Sequence, residues 1–377
     1  MITNVTIKRA VVCLLCIGIL SLSVCLLVRP KKEFSENENR YLTKFPSFTA
    51  KALLDGAYTE ALGDWLADHF PQRDFFVGFK SGAEIACGRK EINHIYVAED
   101  DYLIESYAKP QNTERITDTL VSFYDKVDTS KVDVNLMLVP TAVTVYSDKL
   151  PAHAPLSDQT GTASAIYEAS GIPAIDCTDR LLDGASQGQL YYRTDHHWTT
   201  LGAYFGYLAY CDAKNMTPVS LDTLTAQTVT DAFAGTLYSK VNDYSRPKDS
   251  ITIYTNPGDD LTVTYPDTGE VTDSLYNLDY VTEKDKYSLF LNNIHPLVEI
   301  ENSAASSQDA LMLIKDSYAN SLVPFLAHHY RKIYVFDTRY YRDGSSSFLE
   351  EHSDITDVLI LYNMNTLDSD TGIRGIY

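Results

Sequence analysis

The sequence predicts an α/β protein: a three-layer α/β/α core around a parallel sheet, behind an N-terminal membrane helix and interrupted by a β-rich insertion. Three observations predict it. Short, unbroken apolar runs alternate with helical-period segments, the pattern of parallel strands covered on both faces. One 19-residue stretch, Ala10 to Val28, carries no charge. Between about 218 and 300 the strand–helix alternation gives way to period-two runs and turn signals.

Residues 1–9 form a short N-terminal segment. The apolar stretch 10–28, at ~1.5 Å per residue, reaches about 28 Å, close to a hydrocarbon core. Lys8 and Arg9 precede it and Arg29, Lys31 and Lys32 follow, so flanking charge does not orient it. It ends in Cys25-Leu26-Leu27-Val28, with no small-residue cleavage site, and reads as an uncleaved signal anchor. Residues 29–49 form a charged linker, and the main domain occupies 50–377. Residues 50–87 read as helical, with Leu53, Leu54, Tyr58, Leu62, Trp65, Leu66 and Phe70 repeating at three and four; Pro71 breaks or kinks the run. Strands are expected at 133–139, 172–176, 310–315, 332–337 and 357–362. Covering helices are expected at 112–126, 200–213 and 318–330. In the insertion, the run with Ile251 and Ile253 and the run with Leu261, Val263 and Tyr265 flank Asn256-Pro257-Gly258-Asp259, which predicts a hairpin. The block would cover a sheet edge or act as a lid.

The net charge of −20 excludes a nucleic-acid partner and disfavours tight contact with anionic headgroups. Charged residues at 22% and hydrophobic at 45% exclude a disordered chain. Cys13, Cys16 and Cys25 lie in the apolar stretch. Cys87, Cys177 and Cys211 have no paired spacing, so neither a disulfide framework nor a zinc site is expected, and free buried thiols are.

The chemistry concentrates in two motifs. Tyr191-Tyr192-Arg193-Thr194-Asp195-His196-His197-Trp198-Thr199-Thr200 sets a carboxylate and an imidazole two apart before a helix. In an extended segment Asp195 and His197 would project together and His196 away. A carboxylate on one ring nitrogen fixes the tautomer and leaves the other nitrogen as a base. Downstream, the apolar strand 310–314 leads through Lys315 and Asp316 to Ser317 and a helix, with Pro324 in its first turn. A serine there sits at the carboxyl edge of the sheet, beside helix N-terminal amides suited to an oxyanion. Asp316 would brace the turn through an Asx-type bond, and Trp198 would seal the loop. Asn320, Asn293 and Asn363 are candidate oxyanion or orienting donors, Tyr146 a candidate cleft residue, and Lys315 a candidate contact for an anionic acceptor. His196 joins Asp195, His197, His295, His328 and His329 as conceivable ligands, but adjacent histidines on opposite faces argue for no metal.

Together these motifs resemble the DHHW family, which is related to the alginate O-acetyltransferases of the SGNH-hydrolase-like type. The likeness also runs through Phe34-Ser35-Glu36-Asn37-Glu38-Asn39-Arg40-Tyr41-Leu42, Phe45-Pro46-Ser47-Phe48, Leu138-Val139-Pro140-Thr141 and Val145-Tyr146-Ser147-Asp148-Lys149-Leu150-Pro151. It implies an SGNH-like core and a Ser–His–Asp triad of Ser317, His197 and Asp195, without a cofactor. It implies acetyl transfer to hydroxyls of an extracytoplasmic polysaccharide, by a single-pass membrane protein supplied by a membrane-bound O-acyltransferase. Lys315 stands where the SGNH block has glycine, and no unambiguous counterpart of the family's glycine and asparagine oxyanion donors is found. An esterase and an inactive polysaccharide-assembly or binding subunit are the alternatives.

Overall fold

A computed structural model describes residues 4–35, 37–38, 40–367 and 372–376. The start of the 1–9 segment, and Glu36 and Asn39 of the Phe34–Leu42 block, lie outside these. The chain divides into two compact units, Met1–Arg89 with Ser239–Ser245, and Lys90–Tyr238 with Arg246–Tyr377.

The first unit opens with helix α1 (Asn4–Val28), of which Ile7–Val28 is long and apolar enough to cross a membrane and is not buried against protein. The predicted helical stretch 50–87 is three helices: a short turn at Ala50–Leu54, α2 (Ala57–Asp68) and α3 (Arg73–Ala86). The break falls around Pro71, whose missing N–H and fixed φ end the helix before it. Asp68 pins the linker to this break by accepting from the Arg40 guanidinium at 2.5 Å and from the Thr43 N–H and hydroxyl at 2.8 Å.

The second unit is a mixed α/β body. Helices α4 (Thr113–Tyr124), α5 (Gln159–Ser170) and α6 (Thr200–Lys214) accompany nine main strands. These are β1 (Asp133–Val139), β2 (Thr225–Phe233), β3 (Asp249–Thr255), β4 (Leu261–Tyr265), β5 (Glu270–Thr272), β6 (Leu297–Asn302), β7 (Ala310–Lys315), β8 (Lys332–Phe336) and β9 (Ile355–Asn363). The large sheet runs β5-β4-β6-β8-β7-β9-β1. The β8-β7-β9-β1 half is parallel and the β5-β4-β6 half joins it antiparallel. β7 is buried along its whole length, which is why it reads as an unbroken apolar run. Register pairs Lys315 with Leu361 and Asn363 with Val139, so β7, β9 and β1 finish at one edge.

Three expectations are corrected. The strand expected at 172–176 is a single bridge from Ala174 to Leu136. Pro173 can accept from Leu136 but has no N–H to continue a ladder. The helix expected at 318–330 is a 3₁₀ segment, Ser317–Ser321, followed by one turn, Val323–Leu326. Pro324 cannot donate back to residue 320, so the first turn does not propagate. The hairpin across Asn256–Asp259 does not form: β3 pairs with β2 in a separate two-stranded sheet, and β4 pairs with β5 and β6. Buried Asn302, at the end of β6, takes hold of the connection by donating to Asp259 and accepting from the Asp260 N–H. That grip draws β4 onto β6 instead.

Candidate active site

The first motif folds as a closed loop. Tyr191 bridges Trp198, the Tyr192 N–H reaches the His197 carbonyl, and the Thr199 N–H reaches the Leu190 carbonyl at 2.7 Å. Thr199 then caps α6 by accepting the Gly202 N–H. Two tyrosines fasten the loop from beneath: Tyr146 OH accepts the Leu190 N–H at 2.8 Å, and Tyr191 OH donates to the Pro140 carbonyl at 2.6 Å, beside the end of β1.

The second motif is locked to the same sheet edge. One Asp316 oxygen accepts the Tyr318 N–H at 2.8 Å, the expected Asx-type brace. Its other oxygen accepts the Asn363 N–H, the Asn363 side-chain amide and the Thr366 hydroxyl, each at 2.7 Å. Burial pushes the Asp316 carboxyl up, while those donors and the Lys315 charge pull it back. Four donors on one carboxyl argue that it stands as the carboxylate. From Ala310 to Tyr330, Ser317 alone escapes full burial.

The two motifs meet. His197 Nε2 lies 2.7 Å from Ser317 Oγ, and His197 Nδ1 lies 2.6 Å from Asp195 Oδ1. A carboxylate only accepts, so Nδ1 carries the proton and Nε2 is left to accept from the serine hydroxyl. Asp195 is also held by the His197 N–H at 3.0 Å, the Thr236 N–H at 2.7 Å and the Thr236 hydroxyl at 3.0 Å. Burial works to raise the Asp195 pKa, but the two neighbouring histidines and these bonds outweigh it and hold the carboxyl well below its usual range. Burial pushes the His197 imidazole down, aided by His196 and opposed by Asp195, which favours a neutral base. The His197 ring stacks on Tyr287, 3.7 Å between centroids and 9° from parallel, and Tyr287 OH donates to the Ser317 carbonyl at 3.1 Å. Buried Trp198 seals the contact, donating to the Tyr318 carbonyl at 2.8 Å, and Tyr318 OH donates to the His196 carbonyl.

His196 is not where an extended segment would put it. Residues 193–197 bend, with the Asp195 side chain closing on the His197 N–H, and the two imidazoles lie 3.9 Å apart. The Thr236 hydroxyl gives its proton to Asp195, so it accepts from His196 Nδ1 at 2.7 Å. The two imidazoles therefore do not lie on opposite faces, and adjacency alone does not keep them from sharing an ion. Asp195, His196 and His197 each have a potential ligand atom within 4.8 Å of the others. Both Asp195 oxygens and both His197 nitrogens already have partners, however, and a metal would have to displace the relay.

The remaining predicted residues divide. Tyr146 is buried under the loop rather than facing a cleft. Asn363 braces Asp316, and its oxygen accepts the Asn365 and Thr366 N–H groups. Asn293 accepts from Ser288 at 3.1 Å. Lys315 is buried with its ammonium 3.8 Å from Asp337, which Arg339 also engages at 2.8 Å. Asn320 stays closest in sequence to the chemistry, three residues past Ser317, and its buried side-chain oxygen has no hydrogen-bond partner among the described residues.

Tyr287, Thr236 and Asp249 also belong to the site, and none is distinctive in the sequence. Asp249, 2% exposed, accepts the Thr194 N–H (2.8 Å) and hydroxyl (2.6 Å), the Arg193 N–H (3.0 Å) and the Gln189 amide (2.7 Å), holding the loop that carries the relay. Gly235 is needed beside Asp195, since a Cβ there would overlap the carboxylate side chain. A Gly–Thr pair and an aspartate opening a period-two run were the available signals, and neither is distinctive.

A family model described as DHHW protein matches residues 81–336, so the Phe34–Leu42 and Phe45–Phe48 blocks lie outside the matched span. The chain is similar in structure to a DHHW family protein from Eubacterium siraeum, at 26% identity and TM-score 0.65, covering 75% of this chain and 96% of that one. It is also similar to Bacillus cereus PatB1, solved with a sulfonyl adduct, at 18% identity and TM-score 0.62, covering 75% and 98%. The O-acetyltransferase domain of Pseudomonas putida AlgJ matches more distantly, at 13% identity and TM-score 0.46, covering 73% and 92%. No curated protein sequence matches. With the family model spanning well over half its length, and Asp195-His196-His197-Trp198 at its centre, this chain belongs to the DHHW family.

Proposed function

We propose that the protein is an SGNH-like, three-layer O-acetyltransferase, anchored in the membrane by α1, that moves an acetyl group to hydroxyls of an extracellular or cell-wall polysaccharide. The observation that carries this reading is the Asp195–His197–Ser317 relay at the carboxyl edge of the parallel strands. Ser317 Oγ attacks the carbonyl of an acyl donor while His197 Nε2 takes its proton. The tetrahedral oxyanion collapses, the leaving group takes the proton from His197, and an acetyl-serine remains. A sugar hydroxyl then gives its proton to His197 and attacks the acetyl carbonyl, and the Ser317 oxygen leaves with the proton His197 returns to it. The Tyr318 N–H is engaged by Asp316, so the oxyanion falls to other N–H donors of the 317–321 turn, with the side-chain NH2 of Asn320, not its oxygen, as candidate. A membrane-bound O-acyltransferase is the proposed acyl supplier.

Capture of the same acyl-serine by water would make an esterase. The test is purified protein with an activated acetyl ester, with and without oligosaccharide. Acetylated oligosaccharide, formed only with Ser317 intact, supports the transferase. Acetate alone under both conditions supports the esterase, and no turnover with either refutes both.

A further inference from the structure

We infer that the outward face of α3 is a lipid-docking surface, which lays the first unit on the bilayer that α1 crosses; the inference rests on reading α1 as a membrane span. Helix α3 has two faces. On one, Ser81 is buried and Gly78 lies so close to Tyr244 that a Cβ there would overlap the ring. On the other, Phe75 and Phe79 stand one turn apart, 63% and 67% exposed, with rings stacked at 6.2 Å. Phe76 and Phe70 extend the patch, 47% and 41% exposed and 5.7 Å apart. Contiguous exposed aromatics on one helix face mark a surface that something apolar covers.

The depth of that patch identifies the cover. A cavity of about 500 Å³ is lined by Cys25 and Arg29, at the end of α1, and by Phe70 and Phe75. Lys31 turns back to the Leu26 carbonyl, which keeps the chain against the helix end. The aromatic patch therefore begins where the apolar span stops, at the level of the headgroups, where Phe side chains of an interfacial helix insert beside the acyl boundary. Arg29, Lys31 and Lys32 line or flank the same cavity in a chain of net charge −20, a local reversal of sign that suits anionic phospholipid. The overall charge disfavours such lipids for the chain as a whole; this collar confines the attraction to one end.

The test uses the full-length chain reconstituted in anionic phospholipid vesicles, with the acyl chains brominated or not. Phe75→Trp and Phe79→Trp each add a fluorophore, read as the difference from the parent with its native Trp65 and Trp198. Leu182→Trp, at an exposed site of the second unit, is the control. Bromine should quench the added emission at positions 75 and 79 by about twofold or more and leave the control unchanged. Retention through an alkaline carbonate wash, with 75 and 79 no more quenched than the control, overturns the docking surface and leaves the anchor standing. Release by carbonate overturns both. Protection at 75 and 79 from aqueous iodide without quenching by bromine assigns the face to a second copy of this chain and overturns the lipid.

Discussion

Replacing Asp249 by alanine removes the acceptor that positions the catalytic loop without touching the relay itself. Four donors lose their partner. Two can turn elsewhere: the Thr194 hydroxyl has the Phe233 carbonyl at 3.2 Å and the Gln189 amide the Tyr191 carbonyl at 3.0 Å. The Arg193 and Thr194 amides are fixed in the backbone. Thr194 is wholly buried, while Arg193 is half-buried and can recruit some water. At about 1–3 kcal/mol for each unsatisfied buried group, the loss is about 2–4 kcal/mol. With a denaturant slope of about 3 kcal/mol per molar, the urea midpoint should fall by about 1 M. Lys131→Ala, which removes an exposed partner of Asp128, is the control and should leave the midpoint where it is. Acyl transfer should fall with the Asp249 variant as well, because Asp195 and His197 follow directly on the loosened residues. An unchanged midpoint with full activity in Asp249→Ala would show that Asp249 does not hold the loop.

Ser317→Ala and His197→Ala should each reduce acyl transfer by about 10⁴-fold or more, and the double variant should be little worse, as for residues acting as a unit; steady-state rates of the three variants check this. For pH, His197 must be neutral to accept a proton, and its pKa is lowered from 6.5. The rate should therefore rise with pH along a limb whose midpoint lies below 6.5, read from kcat/KM between pH 4 and 8. Stability follows the same sign: below 6.5 the unfolded chain binds a proton that buried His197 resists, so stability should fall as the pH drops below 6.5. Tyr287→Phe keeps the ring on His197 and should cost about 1 kcal/mol, whereas Tyr287→Ala removes the stacked ring and should cost about 3–5 kcal/mol and most of the rate; urea melts and rates together separate the two. Gly235→Ala should lower activity by forcing Asp195 off His197, and since that carboxylate holds the imidazole pKa up against burial, the acid limb should shift downward.

The parallel strands were legible because burial on both faces writes itself as apolar runs: β1 and β7 lie where 133–139 and 310–315 predicted them. The meeting of residues 195, 197 and 317 was legible from chemistry, since a carboxylate and imidazole at a loop and a serine at a sheet edge complement each other. The supports were not legible. Tyr287 is one of 27 tyrosines, and Thr236 and Asp249 act from the insertion, far along the chain from the motif they hold. Where periodicity misled, a backbone constraint overrode it: Pro173 and Pro324 removed donors, and Asn302 chose the partner of β4. The bend at Asp195 likewise came from a side chain bonding its own backbone, which alternation cannot anticipate.

In the proposed reaction His197 activates Ser317. A serine-reactive sulfonyl fluoride, applied to the folded full-length protein and read by peptide mass spectrometry, tests it most directly. One adduct is expected, on Ser317, and it should disappear in His197→Ala. No adduct on Ser317, or the same labelling with His197 removed, would contradict it.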